Sequence, residues 1–530
     1  MDERRARPPM ILIALAATAC AGFLLFAVVS LLWPQSSVET LNRKPIAANP
    51  TLAGSSDVGQ AAAGQTIATV APTTSPAAAP PAATVAAIPE AGTPAEVETV
   101  ARLTAGTIAV SRNGARRGSV DERRFKDSAD DAMDPKGGRG LVILQLGDSH
   151  TAADFFSGEL RRRLQARYGN GGAGYIIAGR PHTGVRTSAL KVAASPGWTY
   201  KAIQKSDNIS EFWLSGFNAI TAAPGETLTF TSENPVTFDS IEIEALRQPG
   251  GGAIDIIMDG KVKNSFDLTA NAIEPIVLRL TPDGEPTDQV RQIEIKTQTF
   301  GTVSIASVAV FNKRSGVSYN SIGYPGATID ILNKFDHALM ADDLRRLNPQ
   351  IVVLVFGTNE ASNKFLDAAR YEQKYVKVLD KIKAALPSAA IVIVGPPDGA
   401  ERPSYCAGKP AAESACRPLT TDPAPTQASN AGAAAKAPDC DWHTLPKLEM
   451  IRDVERKIAE QRGLVYWNWA SIMPHQCGAN HWVSATPPLM TPDHIHFTVT
   501  GYTKTAEQFM NTLVPLIDKL QIKPNAVSNN

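Results

Sequence analysis

The stretch LVILQLGDSHTAADFF, residues 141–156, joins an apolar run that contains one polar residue, Gln145, to four residues that are not typical of a hydrophobic core. The run LVILQL is typical of a strand that is buried on both faces, as in a parallel sheet. Gly-Asp-Ser-His follows at the carboxyl end of that strand. Two interpretations fit these four residues: a turn with a helix cap, or a serine nucleophile presented at the edge of a sheet.

Similar apolar runs recur later in the chain, in QIVVLVF (350–356), AAIVIVG (389–395) and GLVYWNW (463–469). Apolar residues between the runs recur at helical spacing, for example from Tyr371 to Leu386. This alternation of strand and helix predicts an α/β fold with a doubly wound parallel sheet.

Residues 197–318 break this rhythm, because they contain only short strand-like runs separated by Pro, Gly, Asn and Asp. Such runs are typical of a β-sandwich. Since the α/β pattern resumes afterwards, we expect the sandwich to be inserted into the α/β domain. That domain is then made of residues 141–196 and 319–525.

The amino terminus has a different composition. After MDERRARPP, residues 10–33 contain no charge, which is about the length that crosses the hydrocarbon core of a bilayer. We therefore predict a single-pass membrane anchor at 1–35, with a cleaved signal peptide or lipidation at Cys20 as alternatives. The arginines favour a cytoplasmic amino terminus, which puts the rest of the chain outside the cytoplasm. Residues 36–140, rich in Ala and Pro in their first part, are predicted to be a disordered linker.

Composition excludes little else. The 530 residues are too many for one typical domain, and 52 basic residues balance 52 acidic ones. The neutral total gives no indication of a nucleic-acid partner.

Four cysteines lie in one region of the chain: Cys406, Cys416, Cys440 and Cys477. In an exported protein they predict two disulfides, with three possible connectivities. Free thiols are the alternative, and zinc is less favoured because no C-x-x-C spacing is present. Residues 399–444 hold three of the four, and we expect a long loop fastened by disulfides.

Polar segments follow the predicted strands where each strand ends. GDSH (147–150) follows the first strand, GTNE (357–360) follows the run at 350–356, and TPDHIHFT (491–498) follows the last strand. SIGYPGATIDIL (321–332) precedes a helix and brings two glycines. Ligands of open α/β sheets bind at the carboxyl ends of strands, so these segments are expected to meet there.

Together these segments resemble the sequence blocks of the SGNH (GDSL-type) hydrolases. More narrowly, they are similar to bacterial peptidoglycan O-acetylesterases, which share GDSH, G-x-x-G-A, GTNE and a D-x-x-H-F-T-x-x-G-Y ending, here DHIHFTVTGY (493–502). Those enzymes also carry a carbohydrate-binding-like β-sandwich between their first two blocks, where this chain has 197–318. The resemblance covers about residues 141 to 520.

Five residues carry the implied chemistry. Ser149 is the candidate nucleophile and His496 its base, while Asp493 holds the tautomer of His496. The resemblance assigns the oxyanion hole to the Ser149 and Gly326 backbone N–H groups and the Asn359 side chain. No metal or cofactor is needed for this chemistry.

Neighbouring residues are expected to have other roles. Gly323 is predicted to be a turn residue, Asp148 and His150 to be structural, and His494 to be exposed in a loop. His475 and His481 fit either the pocket or the surface. Four aromatic residues fit either a sugar-stacking surface or, as the favoured interpretation, the core: Trp198, Trp213, Phe217 and Trp482.

The resemblance implies a serine esterase, anchored on the periplasmic face of the bacterial inner membrane, that removes O-acetyl groups from a cell-envelope polysaccharide. Peptidoglycan is the leading candidate. The alternatives are an O-acyltransferase that uses the same residues, and a glycan-binding protein without activity. The expected partners are the O-acylated glycan and the membrane, and the oligomeric state is left open. Because Ser149 and Gly326 flank the insert, its two ends are expected to lie close to the pocket.

Overall fold

The computed structural model describes the following residues: 140–281, 289–312, 316–406, 414–418, 440–475 and 477–520. The predicted anchor and the linker as far as residue 139 lie outside them. Among the described residues, no helix is both long enough and apolar enough to span a membrane.

The described strands, in chain order, are β1 (Leu141–Gly147), β2 (Gly174–Ile177), β3 (Lys191–Ala194), β4 (Thr199–Ala202), β5 (Phe217–Thr221), β6 (Thr227–Thr237), β7 (Ser240–Arg247), β8 (Ala253–Met258), β9 (Lys261–Asp267), β10 (Glu274–Leu280), β11 (Gln289–Thr297), β12 (Val303–Phe311), β13 (Val317–Gly323), β14 (Ile351–Val355), β15 (Ala390–Gly395), β16 (Ala400–Glu401), β17 (Ser414–Pro418), β18 (Trp442–Thr444) and β19 (Val465–Asn468). The described α-helices are α1 (Ser149–Ala152), α2 (Phe155–Tyr168), α3 (Ile331–Lys334), α4 (His337–Leu347), α5 (Thr358–Ala361), α6 (Ala368–Ala385), α7 (Leu448–Arg462), α8 (Gly478–Val483) and α9 (Val499–Lys519).

A parallel sheet with the order β13-β1-β14-β15-β19 forms the centre of the α/β part. Numbered along the chain this order is 2-1-3-4-5, a doubly wound arrangement. Leu141 and Ile143 of β1 pack with α2 and α9 on one face. Leu144 and Leu146 pack with α4, α6 and α7 on the other. The run is apolar except for the buried Gln145 because helices cover both faces, and the predicted α/β fold is confirmed.

The insert consists of two antiparallel sheets, β10-β7-β12-β5-β4, with β2 also paired to β12, and β3-β6-β11-β8-β9. Their facing side chains form one apolar core. Two of these strands, β2 and β3, precede the predicted boundary at residue 197. Each has only four residues between Gly- and Ser-containing loops, so the sequence carries too short a pattern to reveal them.

The two ends of the insert meet at the amino edge of the parallel sheet. Asn170 forms a parallel bridge with Val317 at the start of β13, and the Asn312 N–H donates to the Gly171 carbonyl at 3.0 Å. Ser149 lies beyond the opposite end of β1, about 20 Å away at 3.3 Å per residue. The expectation that the insert's ends lie close to the pocket is therefore wrong.

The far end of the sandwich nevertheless points toward the carboxyl edge. β2 runs beside β13 from the amino edge toward the carboxyl edge of the parallel sheet. Because β12 is antiparallel to β2, it begins at Val303 near the carboxyl edge and ends near the amino edge. The loop after β2 reaches α1, where the Arg186 N–H donates to the Ala152 carbonyl at 2.9 Å.

Both predicted disulfides are present, and the pairing is Cys406–Cys440 and Cys416–Cys477. The region 399–444, expected to be a loop, also contains a small sheet with the order β16-β18-β17. The second disulfide joins it to the residue that precedes α8.

A buried ionic cluster joins the sandwich to the α/β part. Arg346 of α4 pairs with Glu242 and Glu244 of β7. It also pairs with Asp343 on its own helix, and all four side chains are at most 2% exposed. The Tyr175 hydroxyl donates to Glu244 from β2. Burial, together with the charge of Asp343, raises the pKa of Glu244 well above its usual range. The Arg346 guanidinium is thus a shared positively charged partner of the three carboxyl groups.

We expect Arg346→Ala to destabilise the protein by about 3–5 kcal/mol, the usual effect of removing one partner from a buried ion pair. The loss should be greater near pH 8 than near pH 5. Without Arg346 the pKa of Glu244 rises further, and stability from a raised pKa is lost as the pH increases. Urea denaturation at both pH values measures this. Arg345→Ala, which removes an exposed 3.0 Å pair with Asp342, is the control and should cost less than about 1 kcal/mol. Equal losses in the two variants would contradict the role of the cluster.

Candidate active site

Close packing at the end of β1 sets the position of the nucleophile. Gly147 lies opposite Gly323 of β13, and a Cβ on Gly147 would be 2.6 Å from the Val355 carbonyl oxygen. A Cβ on Gly323 would be 2.1 Å from the Ala152 nitrogen, so this glycine is required by a close approach. Gly323 ends a strand, and its prediction as a turn residue is wrong. The absence of both side chains lets α1 begin directly over the sheet edge with Ser149 as its first residue.

Three side chains form a hydrogen-bonded line at this edge. The His496 Nε2 lies 2.9 Å from the Ser149 Oγ, and the His496 Nδ1 lies 2.7 Å from the Asp493 Oδ2. Asp493 and His496 come from the loop before α9, and Ser149 comes from the other end of the domain sequence, 347 residues away from His496. The structure thus brings together the three residues predicted as nucleophile, base and orienting acid.

We call residues 491–496 the catalytic turn. The Asp493 Oδ1 accepts from the Thr491 hydroxyl at 2.6 Å and from the His496 N–H at 2.9 Å. These bonds fix the carboxylate and leave its Oδ2 to contact the His496 ring. Thr498 then caps α9 by accepting from the Gly501 N–H at 3.1 Å. The H-F-T-x-x-G-Y pattern therefore marks the start of α9. This helix start holds the catalytic turn against the sheet edge.

The pair of Asp493 and His496 shifts both pKa values. Burial acts to raise the pKa of Asp493, but the hydrogen bond and charge of His496 outweigh it and hold that pKa well below its usual range. Burial acts to lower the pKa of His496, but the hydrogen bond to Asp493 and its negative charge raise it above 6.5 overall. Asp493 thus stays ionised and makes His496 a stronger base.

A tight turn forms the G-x-x-G-A segment, residues 323–327. The Ala327 N–H donates to the Tyr324 carbonyl at 3.0 Å across Pro325 and Gly326, and Gly326 has a φ of +72°. This is a type II turn, with Pro at the second position and a glycine where φ is positive. Because Ala327 closes the turn, the Gly326 N–H has no hydrogen-bond partner among the described residues.

Asn359 joins this turn to the nucleophile. Its Nδ2 donates to the Ala327 carbonyl at 2.9 Å and lies 3.4 Å from the Asp148 Oδ2. The Ser149 N–H is also without a partner in the described part of the chain, as expected for the first residue of a helix. The three predicted oxyanion donors therefore lie around Ser149, with two N–H groups unpaired and one amide hydrogen in a long contact that an oxyanion can replace.

Glu360 is a supporting residue to which the sequence analysis gave no role. Its Oε1 accepts from the Ile329 N–H at 2.7 Å and its Oε2 from the Gly357 N–H at 3.0 Å. Burial raises its pKa to about 7. The carboxyl group fastens the loop after Gly326 to the loop that carries Asn359, so it sets the spacing between two oxyanion donors.

Asp148 and His150 are buried behind the nucleophile. Asp148 caps α1 by accepting from the His150 N–H at 2.9 Å, and burial raises its pKa to about 7. The His150 Nδ1 lies 2.9 Å from the Tyr502 hydroxyl, and burial lowers the pKa of His150 to about 3. His150 is therefore neutral at physiological pH, and its ring packs 5.4 Å from the ring of His496.

The remaining expectations have mixed outcomes. His494 is only 6% exposed and its ring stacks on Trp442, so its prediction as an exposed loop residue is wrong. The reason is tertiary, because Trp442 comes from the distant cysteine-containing region. His475 and His481 are exposed. The aromatic residues left open between a sugar surface and the core are all buried: Trp198, Trp213, Phe217 and Trp482.

This arrangement can carry out acyl transfer through a serine. His496 can take the proton of Ser149, and the three donors can stabilise the oxyanion of a tetrahedral intermediate. One such donor is typically worth about 2.7–4 kcal/mol in the transition state. In the described part of the chain, no cluster of three or more His, Cys, Asp or Glu side chains is placed to hold a metal ion.

Comparison with known proteins agrees with this class. Residues 306–504 match the sequence profile of the GDSL-like Lipase/Acylhydrolase family. The match contains Gly326, Asn359, Asp493 and His496, while the structure supplies Ser149 from the other side of the insert. The resemblance to the SGNH hydrolases is thereby confirmed, and this protein is a carboxylic ester hydrolase. No curated protein sequence matches the chain.

Among solved structures, a peptidoglycan O-acetylesterase shares 24% sequence identity with this chain, with a TM-score of 0.54. The match covers 72% of this chain and 93% of the other, and it shows that the fold is the same. A family two carbohydrate esterase from Cellvibrio japonicus shares 13% identity over 65% of this chain and 98% of its own, with a TM-score of 0.24. That score is too low for a conclusion.

The rate of ester hydrolysis should increase with pH through the pKa of His496, because only the neutral ring can accept the proton of Ser149. Its pairing with Asp493 raises that pKa, so the half-maximal rate should lie at a higher pH than the ordinary pKa of histidine. Asp493→Ala removes the group that raises it, and we expect the inflection in kcat/KM to move to lower pH. The variant should also lose less activity than His496→Ala. Profiles of kcat/KM for 4-nitrophenyl acetate check both points, and an unmoved inflection in Asp493→Ala would contradict the assignment.

Proposed function

We propose that this protein is a membrane-tethered, periplasmic SGNH O-acetylesterase that removes acetyl groups from a cell-envelope polysaccharide, with peptidoglycan as the leading substrate. The observation that carries the proposal is the hydrogen-bonded line Asp493–His496–Ser149, with contacts of 2.7 and 2.9 Å, beside three oxyanion donors. This constellation suits an acyl ester, since it can form and hydrolyse an acyl-serine without a further cofactor.

The reaction follows in two halves. The Ser149 Oγ attacks the acetyl carbonyl carbon while His496 takes its proton, and the carbonyl oxygen becomes an oxyanion held by Ser149 N–H, Gly326 N–H and Asn359 Nδ2. The C–O bond to the sugar breaks, the sugar oxygen takes the proton from His496, and acetyl-Ser149 remains. In the second half a water gives a proton to His496 and attacks the acetyl group. Acetate leaves and the proton returns to Ser149.

A glycan substrate is supported by two exposed aromatic side chains. Phe365 follows Asn359 by six residues and is 95% exposed, and its N–H is fixed by Asn363 Oδ1 at 3.0 Å. Phe300 is 82% exposed, just before β12 at the end of the sandwich that points toward the carboxyl edge. Exposed aromatic rings are suited to contact with the apolar face of a sugar.

The location is proposed from the sequence and the disulfides. Residues 10–33 carry no charge, with arginines on the amino side, and two disulfides suit an oxidising compartment. A flexible linker of roughly 100 residues would span about 50–60 Å, and more where prolines stiffen it. That reach fits a site that works on an insoluble polymer attached to the wall.

Ser149→Ala tests the reaction. Acetate release from O-acetylated peptidoglycan should occur with the wild-type protein and be lost in the variant, because the attacking oxygen is absent while the fold is unchanged. A serine-directed phosphonate should label the wild type at Ser149 alone. Acetate release by the alanine variant would refute the mechanism.

The same assay with a soluble sugar acceptor separates hydrolysis from transfer. With hydrolysis, free acetate accounts for all acetyl groups lost from the polymer. Recovery of those groups on the acceptor would replace the proposed esterase with an O-acyltransferase. Acetate release from other acetylated polysaccharides but not from peptidoglycan would move the proposal to another glycan.

The exposed aromatics should matter for polymers only. We expect Phe365→Ala and Phe300→Ala to raise the KM for polymeric glycan several-fold and to leave 4-nitrophenyl acetate hydrolysis unchanged, since a small ester does not reach beyond the pocket. Val262→Ala is the matched control, because Val262 is an apolar side chain of the sandwich, 44% exposed, on β9 of the other sheet. Equal effects of Phe300→Ala on both substrates would indicate a purely structural role of the sandwich.

A further inference from the structure

His494 occupies an unusual position within the catalytic turn, between Asp493 and His496. Its side chain is buried, and its backbone has a φ of +58°. This left-handed conformation is unfavourable for a non-glycine residue and persists only when the surroundings hold it. The conformation reverses the chain between the two catalytic side chains, so whatever holds His494 also sets their spacing.

Within the catalytic turn the His494 N–H donates to the Thr491 carbonyl at 3.0 Å, and three further contacts hold His494 from outside the turn. The Trp442 ring stacks on the imidazole with centroids 3.7 Å apart and planes 20° apart. The Nδ1 lies 3.0 Å from the Asn480 Oδ1. The His494 carbonyl accepts from the Ala400 N–H at 3.0 Å.

Trp442 and Ala400 belong to the region 399–444, which we call the cystine segment. Its β16 and β18 strands pair Ala400 with Thr444, so the two contacts to His494 come from neighbouring strands of one small sheet. Arg402 lies over the Trp442 ring of this stack, with its guanidinium carbon 5.6 Å from the ring centroid.

The disulfides fasten both sides of this arrangement. Cys406–Cys440 closes the cystine segment two residues before Trp442. Cys416–Cys477 ties the same segment to the residue that precedes α8, three residues before Asn480. Asp398 adds a further contact, since its Oδ2 accepts from the Ala479 N–H at 3.3 Å. The partners of His494 are therefore held as one covalently connected unit.

We infer that His494 is a positioning residue and that the cystine segment acts through Trp442 to hold Asp493 and His496 in their productive geometry. The inference rests on the proposed esterase chemistry of that site. It assigns a role to residues 399–444, which contain none of the motifs that carry the family resemblance. His494 itself touches no reacting atom, so its effect passes through the backbone on both sides of it.

The state of the His494 ring is consistent with this role. Burial lowers the pKa of His494 to about 4, against an opposing effect of Asp493 and a reinforcing one of Arg402. The neutral ring, with Nδ1–H donating to Asn480, can stack on Trp442 without carrying a charge into the interior. His494 is therefore neutral at physiological pH.

The test uses Trp442→Ala in the full-length protein, with 4-nitrophenyl acetate as substrate. We expect kcat to fall about 10- to 100-fold, a typical effect of misplacing a catalytic group by an ångström, with KM within about twofold of wild type. The pH inflection assigned to His496 should also move to lower pH, because a looser Asp493 raises its pKa less. Trp442→Phe, which keeps an aromatic ring for the stack, should recover most of the loss.

Two further variants complete the comparison. Cys406→Ser combined with Cys440→Ser should reproduce the kcat and pH effects in part, since Trp442 then loses its nearest covalent support. His481→Ala, an exposed histidine on α8, is the matched control and should behave as wild type. Unchanged kcat and inflection in Trp442→Ala, or a change in KM alone, would overturn the inference.

The His496 pKa is also measured directly by NMR titration of the ring protons, which needs no turnover. A fall of this pKa in Trp442→Ala supports the inference, and an unmoved pKa overturns it. This readout and the small ester are independent of any glycan. Failure to release acetate from peptidoglycan would therefore refute the proposed substrate without affecting the positioning role of His494.

Discussion

Parallel pairing of β1 with β13 and β14 is the constraint on which the rest of the site depends. It brings three strand ends to the same edge, so the loops that carry Ser149, Gly326 and Asn359 start within a few ångströms of one another. Gly147 and Gly323 pair across this edge, and neither position has room for a side chain. The nucleophile, two oxyanion donors and their supporting carboxyl groups are consequences of that register, and only Asp493 and His496 come from elsewhere.

Those two residues are held by a different means. The catalytic turn lies outside the sheet, so hydrogen bonds within it, the cap of α9 and the stack of His494 on Trp442 take the place of strand pairing. A site assembled in this way has one half fixed by the sheet and one half fixed by side chains and disulfides. The candidate base is in the second half, which depends on contacts with the cystine segment. Small changes outside the family blocks can therefore affect catalysis.

The sandwich is attached by a third kind of contact. Its chain ends lie at the amino edge, far from the nucleophile, while the buried cluster around Arg346 fixes β7 against α4. Removing charges from water is costly, so such a cluster stabilises the joint only when each carboxyl group keeps its partner. In this geometry the Phe300 end of the sandwich lies toward the carboxyl edge. A polymer could then contact both parts of the protein at once.

The sequence by itself determined the α/β class, the inserted β-sandwich and the presence of two disulfides, and its motifs indicated the five candidate site residues. Each of these is recorded locally, in apolar runs, residue spacing or short motifs, and local patterns need no knowledge of distant partners. Tertiary structure alone decided the burial of His494, the need for glycine at position 323 and the edge at which the insert is attached. It also decided which cysteines pair and which donors Glu360 fastens together. In each case the cause is a contact between residues far apart in the chain, such as Trp442 with His494 or Ala152 with Gly323, and no stretch of sequence contains both partners.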